Sequence, residues 1–444
     1  MLKTNRREFI RTGSAALFAA SAGRIFGADA PSNRVRLAIM GCHEWGRGIC
    51  VARAAAKLPG VEIAAVCDVD SRAREFAAKE IERLTGRRPY EQKDIRKVLE
   101  DRTIDGILCE TPDHWHAPAA WMAMNAGKHV YVEKPCAFCP AECELLIRTQ
   151  KKTGMVLQVG SQRRSSDSVA AAIAAIPQLI GEPRHARCWY SSFRAPIGKG
   201  KEVAVPDWLD WDLWQGPAPR RSFHDNYVHY KWHWFRHWGT GEMGNNSPHF
   251  IDVARWALGE KYPVRTLSGG MRVWHRGEDD WEWPDTQTTS YEFASGKFIS
   301  WDCRSCFGYR SAENIGTGCQ VFGSEGTMVF DQRDKVFVYD KKNELVKTFD
   351  NKLKSDWQSS TTGAGPMDFT HVNNFVEAIR LRKPEHCKAP VWEGAVSSEL
   401  SLLANVSWLS GGEVLTDPET GALRSRGKSE QFWSREYEKG WEMA

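Results

Sequence analysis

Val35-Arg36-Leu37-Ala38-Ile39-Met40 is an apolar run that stops at Gly41. Gly46 and Gly48 follow, then an alanine-rich stretch from Ile49 to Lys57, then a second apolar run from Val61 to Cys67 that ends in Asp68. Strand, glycine-bearing turn, helix, and strand ending in an acid is the spacing of a βαβ dinucleotide-binding unit. Glycines let the backbone approach a pyrophosphate at the helix N-terminus, and the acid can accept from ribose hydroxyls. The turn Gly41-Cys42-His43-Glu44-Trp45-Gly46-Arg47-Gly48 is not G-x-G-x-x-G, so by itself it also suits a sheet that binds nothing.

Working outward, β/α alternation continues. Helices are expected from Ser71 to Thr85, near Asp94 to Leu99, from Ala119 to Ala126 and from Cys143 to Lys152. Strands are expected at Asp105–Cys109, which runs into Thr111-Pro112-Asp113-His114-Trp115-His116, at Val130-Tyr131-Val132 and at Met155–Val159. Regular alternation with short connections predicts a parallel, doubly wound sheet. The strand ends of such a sheet line its crevice, so Glu133-Lys134-Pro135, which closes an apolar run, puts a lysine beside the reacting atoms.

Beyond about Arg164 the strands lengthen and alternate polar with apolar residues: Ala186–Tyr190, Val264–Val273, Thr286–Phe293 and Gly296–Cys303. This predicts a second, α+β domain with a large, mainly antiparallel open sheet, helices Ser247–Ala257, Phe369–Arg382 and Ala395–Trp408 covering one face. The proline- and tryptophan-rich stretch Pro206–Trp238 reads as a long functional loop. The expected division is an export signal at 1–30, a dinucleotide-binding Rossmann domain at 33–160, a substrate and oligomerisation domain at 161–424 and a tail at 425–444.

The chain's 444 residues, 42% hydrophobic, are enough for more than one core. With 60 basic against 56 acidic residues and no basic stripe interleaved with aromatics, nucleic acid is not an expected partner. The 20 tryptophans exceed what packing needs, and their flat rings with an N–H handle suit sugar faces as well as cores. Asn5-Arg6-Arg7-Glu8-Phe9-Ile10, followed by a short apolar stretch and Ala20-Ser21-Ala22, reads as a twin-arginine export signal, with Ala28-Asp29-Ala30 a second cleavage option. No other run is apolar enough to predict stable membrane insertion. Twelve cysteines, with CxxC pairs at Cys136/Cys139 and Cys303/Cys306, are expected to be free thiols, since a twin-arginine substrate folds before export. His229, His233 and His237 lie four apart among aromatics; they are read as lining for a sugar, and no metal site is expected.

Thr111-Pro112-Asp113-His114-Trp115-His116, Ala126-Gly127-Lys128, Val132-Glu133-Lys134-Pro135 and Gln158-Val159-Gly160-Ser161-Gln162 together resemble the Gfo/Idh/MocA oxidoreductases, the family of glucose-fructose oxidoreductase and inositol dehydrogenase. Trp211-Asp212-Leu213-Trp214-Gln215-Gly216-Pro217 and Gly244-Asn245-Asn246-Ser247-Pro248-His249-Phe250-Ile251-Asp252 look like that family's second domain. The resemblance implies a nicotinamide cofactor, with Lys134 bonding the hydroxyl that is oxidised and His249 shuttling its proton. It implies cofactor contacts from Gly41, Gly46, Arg47, Asp68, Thr111, Pro112, Asp113, His114, His116, Glu133, Lys134 and Gln162. Substrate contacts are expected from Arg163, Trp232, Trp234, His237 and Trp238. Asn245 stands where many relatives have aspartate; it can position a hydroxyl but not accept its proton. Glu44 stands where near relatives have glycine.

Outside the cytoplasm free nicotinamide nucleotides are not expected, so the cofactor would travel inside the protein, tightly bound. Asp68 favours NAD, while Ser71 and Arg72 keep NADP open. The leading expectation is a periplasmic, NAD(P)-dependent oxidoreductase acting on a CH–OH group of a sugar, polyol or glycoside, working as a homodimer or homotetramer. The alternatives are a redox-neutral, NAD-dependent glycoside-cleaving enzyme of the same superfamily, and a catalytically idle carbohydrate-binding relative.

Overall fold

The computed structural model describes residues 34–308, 315–350, 365–424 and 427–443; the expected export signal lies outside the described residues. The first sheet holds β1 (Val35–Met40), β2 (Val61–Cys67), β3 (Tyr90–Gln92), β4 (Gly106–Cys109), β5 (His129–Val132) and β6 (Leu157–Val159). Helices α1 (Arg47–Ala56), α2 (Ser71–Thr85), α3 (Ile95–Glu100), α4 (Asp113–Asn125) and α5 (Pro140–Thr153) alternate with them. Strand order is β3-β2-β1-β4-β5-β6, and every pairing is parallel. The order reverses between β1 and β4, which opens a crevice at the strand ends.

Local chemistry sets these boundaries. The Asp70 side chain accepts from Arg72 N and caps α2, which ends where Gly86 takes φ 71°. Pro140 starts α5, and Gly154 at φ 69° ends it. At the glycine turn the need is closeness: a Cβ on Gly48 would fall 1.8 Å from the Gly41 carbonyl oxygen, so α1 meets β1 only without one.

Two short helices, α6 (Asp167–Ala174) and α7 (Ile176–Leu179), lead into the second sheet. It holds β7 (Pro183–Ser191), β8 (Arg265–Met271), β9 (Thr286–Glu292), β10 (Phe298–Arg304), β11 (Thr317–Gly323), β12 (Gly326–Asp331), β13 (Val336–Asp340), β14 (Leu345–Phe349) and β15 (Val414–Leu415). Their order is β14-β13-β12-β11-β7-β10-β9-β8-β15; β7 and β10 run parallel and the other pairings are antiparallel. Along β10, Ile299, Trp301 and Cys303 are buried and alternate with half-buried Ser300 and Asp302, as one covered face requires.

The helices α8 (Trp211–Gln215), α9 (Gly241–Leu258), α10 (Pro366–Leu381) and α11 (Val391–Ser410) complete the chain. Helix α11 serves both cores: Val391, Ala395 and Leu402 pack with the first sheet, Val396, Leu400 and Ala404 with the second. Helix α10 returns to the first sheet, where Val372, Phe375 and Val376 share a core with Ile49 and Val51. The chain's end returns too: Arg435 pairs with Glu142, Trp433 donates to Glu144, and Trp441 meets Trp115 edge-on at 5.1 Å.

Helix α9 begins at Gly241, before the expected Ser247. Its first turn is glycine-rich because it is crowded: a Cβ on Gly244 would sit 1.7 Å from Thr240 Oγ1 and 3.2 Å from Pro135 Cγ. That crowding brings α9 against the Lys134–Pro135 loop.

Candidate active site

Lys134 leaves the end of β5 with its backbone N–H on Glu133 Oε2 at 3.1 Å and its Nζ donating to the Asn245 carbonyl at 2.8 Å. His249 lies four residues after Asn245 on α9, hence on the same helix face. Burial lowers the Lys134 pKa from its ordinary value, against the pull of Glu133 and Asp113. Burial also pushes His249 well down, and the nearby cations Lys134, Arg163 and Arg47 push the same way. The pair is an ammonium donor beside an imidazole held neutral, which together can hold a hydroxyl and take its proton.

Glu133 is the hinge of the arrangement. Gln162 Nε2 donates to its Oε1 at 2.6 Å, Arg47 Nη2 stands 3.4 Å from the same oxygen, and a Cβ on Gly160 would fall 2.7 Å from the carboxylate. Arg47 also pairs with Asp368 of α10 at 2.6 Å, tying the glycine turn to the second domain. Glu133, Arg47, Gln162, Lys134, Asn245 and His249 are therefore brought into one neighbourhood.

Sequence reasoning missed Glu110, at the end of β4. Both its carboxylate oxygens are shut off from solvent without a hydrogen-bond partner, and burial, then Glu133, push its pKa well up. The available signal was an acid directly after a buried strand, the same cue that singled out Glu133. His43 was missed likewise; it occupies the place of the middle glycine in Gly41-x-x-x-x-Gly46 and stacks on His229 at 4.2 Å.

Several expected contacts are corrected. Asp113 accepts from Thr240 N at 2.9 Å and Thr240 Oγ1 at 2.5 Å, His114 Nε2 is 3.0 Å from the Trp214 carbonyl, and His116 lies between the carbonyls of Pro135 and Thr111 at 2.6 and 2.8 Å. With Thr111 and Pro112 ahead of them, these residues dock the domains and brace the lysine loop, because their polar atoms already face backbone or Thr240. Trp238 is 0% exposed and packs on Trp211, Trp214 and Tyr227; Trp234 packs on Trp281 and Trp232 is buried with them, so these rings build an aromatic core instead of a sugar platform. Arg163 is drawn away onto Asp334 and the Gln332 carbonyl.

The three histidines four apart do not meet. His229 faces Asp70, His237 faces the Pro219 carbonyl at 2.7 Å, and His233 holds the Tyr230 carbonyl at 2.6 Å. Burial pushes His233 down to about 3, and Lys134 is among the charges that reach it. His237, with Arg221, Arg236, Asn405 and Arg435, lines a cavity of about 320 Å³ whose wall includes neither Lys134 nor His249. We place the chemistry at the lysine, where the titratable groups converge. All twelve cysteines are free and all but Cys306 are buried.

A parallel sheet with a glycine turn, an acid closing β2 and a second domain that brings a histidine helix to the strand ends defines a two-domain nicotinamide-type oxidoreductase fold. Residues 35–161 match the model of the oxidoreductase family with NAD-binding Rossmann fold, and residues 210–399 match its C-terminal alpha/beta domain. The chain belongs to the Gfo/Idh/MocA family.

Among curated relatives, a glycosyl hydrolase family 109 protein of Parabacteroides distasonis is 25% identical over 426 residues, covering 85% of this chain and 84% of its own. An alpha-N-acetylgalactosaminidase of Tannerella forsythia is 24% identical over 389 residues, 82% of this chain and 81% of its own. Among solved structures, levoglucosan dehydrogenase in complex with NADH and levoglucosan aligns with a TM-score of 0.62 at 19% identity, covering 86% of this chain and 99% of that one. An oxidoreductase of Agrobacterium radiobacter in complex with NAD+, L-tartaric acid and magnesium also gives 0.62, at 17% identity, covering 86% and 98%.

The crevice residues suit such a dinucleotide. Asp68 accepts from the backbone N–H groups of Cys42 and Asp70 at 2.7 and 2.9 Å, which fixes its carboxylate at the end of β2 with lone pairs to spare for ribose hydroxyls. The orphaned oxygens of Glu110 form a polar wall that a ligand would complete.

Proposed function

We propose that this chain is an exported NAD-dependent enzyme that oxidises a CH–OH group of a sugar, polyol or glycoside, with the cofactor held tightly. The carrying observation is the dehydrated Lys134 ammonium on the Asn245 carbonyl, one turn before a neutral His249. Bound nicotinamide would supply the hydride acceptor. Lys134 would donate to the substrate oxygen and stabilise its developing negative charge, since its own carbonyl partner leaves the remaining N–H groups for substrate. His249 would take the hydroxyl proton; the cations around it keep its lone pair available. Asn245 would position without titrating, so the proton route rests on the histidine.

Asp68 opposes a 2′-phosphate by charge, and Arg72 is already engaged with Asp70 through Nη2 at 2.9 Å, which supports NAD over NADP. The segment 1–30 supports export, and the open face of the second sheet supports pairing into a dimer or tetramer.

A second reading, glycoside cleavage without net redox change, is favoured by the curated relatives, whose names are glycosidases over most of the chain. One experiment separates the two. Purified protein is denatured to identify the released nucleotide, and the intact protein is then given candidate sugars and a chromogenic α-N-acetylgalactosaminide while cofactor absorbance is followed. Reduction by a free sugar supports the dehydrogenase; chromophore release with no lasting reduction favours the glycosidase. Absence of any bound or bindable nucleotide would overturn both.

A further inference from the structure

We infer that His43, Asp70 and His229 form a binding site for a divalent cation of the zinc class, at the glycine-turn end of the crevice and apart from Lys134. Their ligand atoms lie within 4.8 Å of one another. A tetrahedral site with bonds of about 2.0–2.1 Å spaces its ligand atoms by about 3.3 Å, so closure asks for a shift of about 1 Å or less per group. Two imidazoles and one carboxylate form the borderline donor set that selects zinc over magnesium or calcium, and three protein ligands leave a fourth position for water or a ligand oxygen.

The three groups come from separate parts of the chain, so their meeting is built by the fold. His43 stands in the glycine turn. Asp70 caps α2 and is 0% exposed. His229 arrives on the long loop, which is fastened to the end of β2 by Ser71 N on the Trp208 carbonyl at 2.9 Å and Asp210 N on the Val69 carbonyl at 3.1 Å.

Hydrogen bonding leaves the cluster unfinished. His229 Nε2 lies 2.9 Å from Asp70 Oδ2, yet this buried nitrogen is not aligned for a hydrogen bond to any described group. Trp45 N approaches His43 Nδ1 at 3.4 Å, and the other ring nitrogen of His43 has no hydrogen bond among the described residues. The surrounding charge favours a cation, since Asp68 and Glu44 act on His43 together with Asp70. Arg72 opposes it: it holds Asp70 through Nε and Nη2 while resting 3.5 Å above the Trp208 ring. A metal would take Oδ2 in place of Nη2, and Arg72 would keep Oδ1.

The test uses the intact protein, stripped with chelator, dialysed against zinc and analysed for metal per chain; cobalt(II) in place of zinc reports coordination through its visible spectrum. The expected result is one equivalent of zinc and a tetrahedral cobalt spectrum, both lost in His229→Ala and Asp70→Asn. His43→Gly removes a ligand while restoring the small residue of the turn and leaving the loop anchors intact, and should weaken zinc binding at least tenfold with an unchanged circular dichroism spectrum. No retained metal in the wild type, or equal retention in wild type and His43→Gly, would overturn the site. Metal content is read independently of nucleotide content and hydride transfer, so this result and the proposed activity stand or fall separately.

Discussion

Residues 111–116 and residues 229–237 both bring histidines to the crevice, and they use them in opposite ways. In the first segment His114 and His116 turn their nitrogens onto backbone carbonyls and act as pins between domains. In the second, His229 faces a carboxylate and His233 stands within the electrostatic reach of Lys134. Sequence position beside a strand end does not make a histidine part of a site. What decides it is whether the ring's partners are main-chain atoms that a fold needs satisfied, or side chains that a ligand could also use.

The sharpest way to break this contrast lies at the lysine both segments surround. Lys134→Ala should lower turnover by about 10²–10⁴-fold with bound nucleotide unchanged, because it removes a charge-stabilising donor without touching the domain pins. Near-normal turnover would put the chemistry elsewhere. Next in size, Asp113→Ala should destabilise the chain by about 2–4 kcal/mol in urea unfolding, since it leaves both Thr240 donors without their acceptor. A loss of activity at full stability would return that segment to the binding machinery.

Trp238→Phe should cost about 1–3 kcal/mol of stability while leaving KM for a sugar substrate within about twofold, as expected of a ring wholly inside the aromatic core. A large KM effect would restore the sugar-platform reading. The gentlest effect is in pH. Burial lowers the pKa of His114 and of His371, so the folded chain leaves them neutral while the unfolded chain protonates them below its ordinary value near 6.5. Stability is therefore full above about pH 6.5 and falls as the medium is acidified, by up to about 1.4 kcal/mol per pH unit for each such histidine. Urea midpoints at pH 7.5 and 5.5 measure it, and His114→Gln should show a shallower fall. An unchanged slope would mean that His114 is not held neutral.

The first domain was legible because its strands are short apolar runs separated by amphipathic helices, a periodicity that survives any neighbour. Helix α2 begins and ends as expected, since Asp70 and Gly86 are local signals. The rest depended on contacts that no window of sequence contains. Helix α9 starts in glycines, which read as loop until the approach to Pro135 explains them. Strands β11 to β14 pair through short turns and carry weak alternation. At the site, Lys134 and His249 were readable from their motifs, whereas Glu110 and His43 became visible only once β4 and the long loop enclosed them. Trp232, Trp234 and Trp238 were misplaced because composition names a ring without saying which face is covered.

The return of residues 433–441 to α4 and α5 has an order-of-events consequence. The domain that is synthesised first is finished last: Glu142 stays buried without its cation until Arg435 arrives, and Trp115 lacks its cover until Trp441 does. A chain halted short of these residues presents an incomplete first domain, so the end of translation acts as a checkpoint on the nucleotide-binding half.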